Sequence, residues 1–134
     1  AASAGFAYRG PAITHALVTR TDLNGYSTWA RAQSAQTRAA VLDAFFSTVV
    51  PAIERAGGVF FRDEGDCIVA LFSDYFGRGA SNKTVRSYCL EVTPKLYGVP
   101  QLSAKTCVAT GDVAFFQKRH EAPTGDWSAE GEPF

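Results

Sequence analysis

The length, composition and charge of the chain limit the kinds of protein it can be. Its 134 residues suffice for one domain with a real core. With 46% hydrophobic and 19% charged residues, the composition is typical of a globular chain rather than a disordered one. The 13 basic and 13 acidic residues cancel to zero net charge, which argues against a nucleic-acid partner. No apolar run is long enough to span a bilayer, so we expect no membrane segment in this chain.

The three cysteines and the first residues indicate a cytoplasmic protein. Cys67, Cys89 and Cys107 are odd in number and lack metal-ligand spacing, which argues against a disulfide scaffold or a zinc site and favours buried free thiols. Residues 1–11 lack the layout of a signal peptide and are interpreted as a linker or an expression remnant. We therefore expect a cytoplasmic domain at residues 12–134, either free or as the cytoplasmic part of a membrane-attached protein.

The first half of the chain predicts a strand, a long helix and a hairpin. The apolar run at residues 12–22 predicts the first strand. A helix is expected from about Tyr26 to Ala56, kinked or divided at Pro51, because apolar residues recur there every four positions. Gly57 or Gly58 is expected to end it. Residues 59–62 and 67–72 then predict two short strands of a β-hairpin.

The second half predicts one more helix and further strands. A helix is expected from Ser81 or Asn82 to about Leu96, with its end left open by Pro94. Residues 102–117 return to strand character, and the polar tail after them shows little regular pattern. The order β-α-α-β-β-α-β-β predicts an α+β fold with helices packed on one or both faces of a sheet.

Two aspartates stand at the ends of predicted strands. Asp22 ends the first strand, with Gly25 three residues later, and Asp66 lies in the hairpin turn. A turn made of Asp, Asn and Gly explains the first on its own. If the two carboxylates meet at one end of the sheet, they repel each other unless they are protonated or bridged by a cation. Mg²⁺ suits such a pair, because it takes few protein oxygens and completes its shell with water and phosphates.

The stretches TDLNGYS, VVPAIERAGGVFFRDEGDCIVALF and KTCVATGDV together resemble the class III nucleotide cyclase catalytic domain. The resemblance is carried by Asp22 with the Gly25–Tyr26 pair, by the glycine pair at 57 and 58, by Gly65–Asp66, and by Lys105 ahead of the GDV segment. It extends over residues 12–134 in the family's order and spacing.

The resemblance implies a ferredoxin-like core with a mainly antiparallel sheet and packed helices. It also implies two Mg²⁺ or Mn²⁺ ions on Asp22 and Asp66, with the backbone carbonyl of Leu23 as a further oxygen ligand. The reaction it implies converts ATP or GTP to the 3′,5′-cyclic monophosphate and pyrophosphate, in intracellular signalling. The complete domain would act as a head-to-tail homodimer with its sites at the interface.

Further substrate-binding residues follow from the same resemblance. Arg62 occupies the position of the family's adenine-reading lysine, although Asp63 beside it is an alternative partner for its guanidinium. Ser128 falls at the position that selects the base, with Asp126 as the equivalent if the loop shifts. Lys105 is either a phosphate contact or a solvated strand end, and Gly25 and Tyr26 follow the first metal aspartate.

The sequence also departs from the family's pattern. The asparagine and arginine that orient the ribose and stabilise the transition state would follow Phe134, so the resemblance implies a domain incomplete at its C-terminus. We accordingly expect the 134-residue chain alone to show little cyclase activity and to be monomeric or unproductively paired. A cyclase-homology domain that binds nucleotide or a partner without turnover is the main alternative. A diguanylate cyclase is a further one, against which the hairpin sequence EGDC argues.

Overall fold

In a computed structural model, the chain is described over residues 10–94, 97, 102–118 and 127–134. The elements are β1 (Ala12–Asn24), α1 (Tyr26–Ala30), α2 (Ala35–Arg55), β2 (Val59–Asp63), β3 (Cys67–Phe72), a 3₁₀ turn (Asp74–Phe76), α3 (Asn82–Val92), β4 (Ser103–Gln117) and β5 (Trp127–Gly131). Apart from the 3₁₀ turn, the succession of helices and strands agrees with the predicted one, although the break between the first two helices and the last strand lie elsewhere than expected.

The five strands form one sheet in the order β2-β3-β1-β4-β5, and every neighbouring pair is antiparallel. β1 is central, flanked on one side by β3 of the hairpin and on the other by β4. The predicted α+β fold, with a mainly antiparallel sheet and packed helices, is confirmed.

The sheet buries both of its faces, because side chains alternate along each strand. On β1, Leu17 and Leu23 pack into a cluster with α2 and α3, which we call the helix face. Ala16 and Val18 pack into a second cluster on the opposite face. The same alternation places Arg20 and Asp22 on that opposite face as well.

The face opposite the helices is concave. Phe61 on β2 and Trp127 on β5 lie on strands at opposite edges of the sheet, yet their rings stack with centroids 5.5 Å apart. Phe134 adds a third ring, 5.3 Å from that of Phe61. The sheet must therefore curl until its two edges meet over this side, which we call the concave face.

The long helix and the tail differ from the prediction. The helix is not divided at Pro51; instead it is interrupted after α1, where the Ser34 side chain accepts a hydrogen bond from the Thr37 N–H and caps α2. α2 continues through Pro51 because the flanking Val49, Ala52 and Ile53 are all buried. The tail, expected to be irregular, contains β5.

The structure bears on two expectations drawn from composition, which concern the state of the cysteines and membrane-spanning helices. The three cysteines are free, as expected, but Cys67 and Cys89 are only half-buried and Cys107 is exposed, so the expected burial was wrong. Within the described residues, no helix is long and apolar enough to cross a membrane.

Candidate metal and nucleotide site

The two aspartates singled out in the sequence lie at the same end of the sheet. Asp22 pairs with Cys67 across β1 and β3, and Asp66 directly precedes Cys67 in the chain. The Leu23 N–H donates a hydrogen bond to the backbone carbonyl of Asp66 at 3.2 Å. This bond fixes the hairpin turn against the end of β1 and makes the two acids close neighbours.

One oxygen of Asp22 is buried without a partner. Within the described residues, Asp22 Oδ1 is shielded from solvent and accepts no hydrogen bond. A buried carboxylate oxygen in this state is unfavourable, because the charged form loses its hydration without compensation. A cation bound at this oxygen would supply the missing interaction.

The backbone polar groups of Leu23 point toward the hairpin turn that carries Asp66. Its N–H points toward the hairpin, where it bonds to Asp66. In an extended strand the N–H and C=O of one residue point to the same side, so the Leu23 carbonyl also points toward the hairpin. The Leu23 side chain is buried on the helix face and takes no part in this arrangement.

These groups fit a small hard cation. Two carboxylates and one carbonyl provide oxygen ligands alone, which is the donor set that Mg²⁺ and Mn²⁺ favour when water and substrate phosphates complete the shell. Within the described residues, no cluster of three or more His, Cys, Asp or Glu side chains could hold a metal on its own. With only two carboxylates and one carbonyl as donors, the site leaves ligand positions for water and for the phosphates of a bound substrate.

Lys105 and the residues after Asp22 take different positions around this site. Lys105 is the cross-strand partner of Asp22 on β4, so its exposed side chain shares the concave face. Gly25 has φ 86° and begins α1, a conformation that glycine adopts without strain. Tyr26 instead packs against the helix-side cluster, with its ring 5.8 Å from that of Trp29. Of the three, only Lys105 presents its side chain beside Asp22.

Arg62 reaches the concave face through a β-bulge. The register of β2 shifts between Phe60 and Arg62, so that Arg62 opposes Val69, whose side chain lies in the concave cluster. The Arg62 guanidinium lies over the rings of Phe61 and Phe134, 5.2 and 5.8 Å from their centroids. The bulge thus aims Arg62 toward the same face as Asp22.

The ion pair between Arg62 and Asp63, which the sequence left open as an alternative, is not formed. Arg62 Nε instead donates to Glu64 Oε2 at 3.1 Å. Adjacent residues on a strand point to opposite faces, which separates the Asp63 side chain from its neighbour, whereas Glu64 lies in the turn and folds back.

Of the two residues expected to select the base, the structure describes only Ser128, and Ser128 does not lie on this face. Ser128 lies on β5 opposite Phe116, between Trp127 and Ala129, which both belong to the concave cluster. Strand alternation therefore places Ser128 on the other side of the sheet. Asp126 lies outside the described residues.

Arg20 and Glu64 are polar neighbours of the site that the sequence analysis missed. Arg20 Nη1 donates to Glu64 Oε1 at 2.8 Å, so Glu64 bridges Arg20 and Arg62. The hydrogen bond from Arg20 holds the pKa of Glu64 below its usual range. Each of the two residues lies two positions before a site aspartate, and this spacing is the sequence signal that would have found them.

Cys67 lies among these charges. Burial raises the pKa of its thiol; Arg20 opposes that rise, while Glu64 and Asp22 add to it. All three charged groups therefore act on the same thiol, which is consistent with one continuous polar patch at the end of β1 and β3.

On the helix face, a buried hydroxyl network holds the end of β1. Thr21, fully buried, places its Oγ1 2.5 Å from the Tyr88 hydroxyl and 3.0 Å from Thr106 Oγ1. The network ties β1 to α3 and to β4 directly behind Asp22, and so restrains the strand that presents the carboxylate.

We expect Tyr88→Phe to lower stability at neutral pH and to weaken its alkaline dependence. Loss of the hydrogen bond to Thr21 costs about 1 kcal/mol. Burial raises the pKa of Tyr88 above its ordinary value of about 10. The folded state therefore favours the neutral phenol. The stability gained from this preference is complete below about pH 10 and is lost as pH rises from there toward the higher pKa that Tyr88 has in the folded state. Denaturant unfolding between pH 7 and 11 should show a shallower alkaline decline in the variant; parallel declines would contradict the assignment.

Comparisons with solved structures place this architecture among nucleotide cyclases. A bacterial light-regulated adenylyl cyclase superposes with a TM-score of 0.70 at 18% identity, covering 92% of this chain and 37% of its own. The guanylyl cyclase Cya2 gives 0.67 at 19%, covering 92% and 67%. The non-canonical dimeric guanylyl cyclase domain of the RhoGC fusion protein from the aquatic fungus Blastocladiella emersonii gives a TM-score of 0.70 at 11% identity, covering 92% of this chain and 71% of its own.

No family model matches the chain, and no curated protein matches it. At these identities the structural likeness defines the fold alone. The chain has the fold of adenylyl and guanylyl cyclase catalytic domains, and the resemblance noted in the sequence is confirmed at that level. The chain spans little more than a third of the light-regulated enzyme.

Proposed function

We propose that the chain is a nucleotidyl cyclase domain that converts ATP or GTP to the 3′,5′-cyclic monophosphate and pyrophosphate. The observation that carries this proposal is the buried, unpartnered Oδ1 of Asp22 beside Asp66, in a fold shared with adenylyl and guanylyl cyclases. One of the similar structures, the catalytic core of a rhodopsin-guanylyl cyclase with converted specificity, is a complex with ATPαS.

The proposed cofactors are two divalent ions, Mg²⁺ or Mn²⁺, with Asp22, Asp66 and the Leu23 carbonyl as ligands. When bound, two such metal ions lower the pKa of an attacking hydroxyl and stabilise the negative charge that develops during an in-line displacement at phosphorus. In the reaction, the ribose 3′-oxygen bonds to the α-phosphorus, its proton is released, and pyrophosphate leaves.

The side chains of this chain would orient the substrate for that displacement. Lys105, beside Asp22, would contact the phosphates as a mobile point charge. Arg62 would donate to an acceptor on the nucleotide from the concave face, while Phe61 and Phe134 support its guanidinium. Gly25 would let the chain leave β1 without a side chain obstructing the acids.

We also propose that the working domain is a head-to-tail homodimer. Among the structures with this fold, one guanylyl cyclase domain is a non-canonical dimer and is also found as a monomer, so the head-to-tail pairing rests on the sequence resemblance. In such a pair each protomer would lend residues from its concave face to a shared site. Light scattering on the full-length protein, with and without Mn²⁺ and nucleotide, tests the pairing.

Binding without turnover is the second candidate function. It is favoured by two observations: Arg62 is already engaged by Glu64, and Ser128 lies on the face away from Asp22. Both weaken the case for base selection of the kind that the resemblance implies, while leaving the acid pair available for a metal–phosphate ligand.

An assay of cyclic nucleotide formation by the full-length protein tests the proposal. The protein is incubated with Mn²⁺ and either ATP or GTP, and cyclic product and pyrophosphate are quantified by chromatography. Equimolar cyclic nucleotide and pyrophosphate are expected. Mn²⁺-dependent nucleotide binding without product would favour the second candidate, and neither binding nor product would show that the proposal is wrong.

A further inference from the structure

We propose that Arg20 binds the triphosphate of the nucleotide beside the acid pair, a role that rests on the proposed function. Arg20 lies two residues before Asp22 on β1, so both side chains project from the concave face. Their backbone positions are about 7 Å apart along the strand, a distance that an arginine side chain readily bridges.

The Arg20 guanidinium is held near the acids rather than free in solution. Glu64, in the turn before Asp66, accepts its hydrogen bond at 2.8 Å. Asp66 follows Glu64 by two residues and directly precedes Cys67, the cross-strand partner of Asp22. The guanidinium therefore lies on the side of the hairpin where the acids meet.

The summed charge of Arg20, Arg62 and Glu64 favours the binding of an anion. Glu64 is one carboxylate shared by two guanidiniums, those of Arg20 and Arg62, so the three side chains carry a net charge of +1. Arg20 uses Nη1 toward Glu64, and its side chain is 36% exposed. The remaining donors of its planar fork match the oxygens of a phosphate group.

An ordinary surface ion pair accounts less well for this arrangement. Such an exposed pair adds little to stability, and one arginine would suffice to neutralise Glu64. The second arginine places a further positive charge beside the two aspartates proposed to bind metal. A triphosphate would be stabilised both by the metal ions and by the positive charge of the Arg20 guanidinium.

The test measures binding of inorganic triphosphate with Mn²⁺ to the full-length protein by titration calorimetry. Arg20→Gln should weaken binding by about 10-fold or more, since a charge-assisted hydrogen bond contributes roughly 1.5–3 kcal/mol. Arg20→Lys should restore part of the affinity through its charge. Arg55→Gln is the matched control, because Arg55 also pairs with a glutamate, Glu91, but between α2 and α3.

Glu64→Gln separates phosphate binding from a purely structural ion pair. It breaks the same pair but keeps the guanidinium, so triphosphate affinity should not fall. An equal loss in Glu64→Gln and Arg20→Gln would overturn the inference, as would unchanged affinity in Arg20→Gln while Asp66→Ala loses binding. A wild-type protein that binds no triphosphate with Mn²⁺ would overturn this inference, whereas the proposed function is tested separately by nucleotide binding and cyclic product formation.

Discussion

Replacing Gly58 by alanine is expected to destabilise the domain by about 2 kcal/mol, within the range found for overpacked cores. A Cβ at this position would lie 2.5 Å from a ring carbon of Phe72. Phe72 is fully buried on the helix face, and its ring packs against that of Tyr88 at 5.7 Å between centroids. The ring cannot move aside without disturbing the packing of α3 on the sheet.

Gly65→Ala is the matched control for this prediction. Gly65 has φ 71°, but nothing lies within 4 Å of a Cβ built there, so the substitution incurs backbone strain alone, about 1 kcal/mol. Denaturant unfolding of both variants gives the comparison. A smaller loss for Gly58→Ala than for Gly65→Ala would show that the Phe72 ring adapts and that the contact does not limit this position.

The glycine pair shows how far local sequence reasoning reaches. A glycine at the end of α2 was predicted from helix capping, and Gly57, with φ 85°, fulfils that role. The requirement at Gly58 is different, because it arises from Phe72, a residue fourteen positions later on β3. Capping is a local property and can be predicted; a tertiary contact of this kind leaves no local pattern.

The strands and the acid pair were predictable for a similar reason. The bounds of β3 follow from a continuous apolar run, and the order of elements placed β1 beside the hairpin. Since Asp22 lies near the end of β1 and Asp66 directly precedes the antiparallel strand β3, the two acids come to the same end of the sheet. The bulge in β2, by contrast, depends on pairing with β3, so the direction of Arg62 and its bond to Glu64 could not be predicted.

The strand β5 in the tail could not be predicted from local sequence either. β5 is only five residues long and follows a polar segment, so its own pattern is weak. It becomes a strand because β4 offers an edge from Val113 to Gln117 and because Trp127 packs into the concave cluster. The face of Ser128 follows from that pairing with β4 and could not be predicted locally, and its role in base selection stays a prediction.

Asp66→Ala is expected to remove Mn²⁺-dependent nucleotide binding while leaving the fold intact. The loss of a direct ligand should exceed the roughly 10–100-fold loss of metal affinity seen when outer-shell partners are removed. The fold should persist because Asp66 contributes its backbone carbonyl, not its side chain, to the bond with Leu23, and alanine keeps that carbonyl. Binding of a fluorescent nucleotide analogue with Mn²⁺ and a thermal melt measure the two properties.

Asp63→Ala provides the control, because Asp63 is an exposed aspartate on the same hairpin and changes the local charge equally. If the acid pair acts only through its summed negative charge, both variants should change binding alike. If Asp66 is a ligand, the effect should be confined to Asp66→Ala. Retained Mn²⁺-dependent binding in that variant would remove Asp66 from the metal site, and the unpartnered Oδ1 of Asp22 would then require a different cation or a proton to satisfy it.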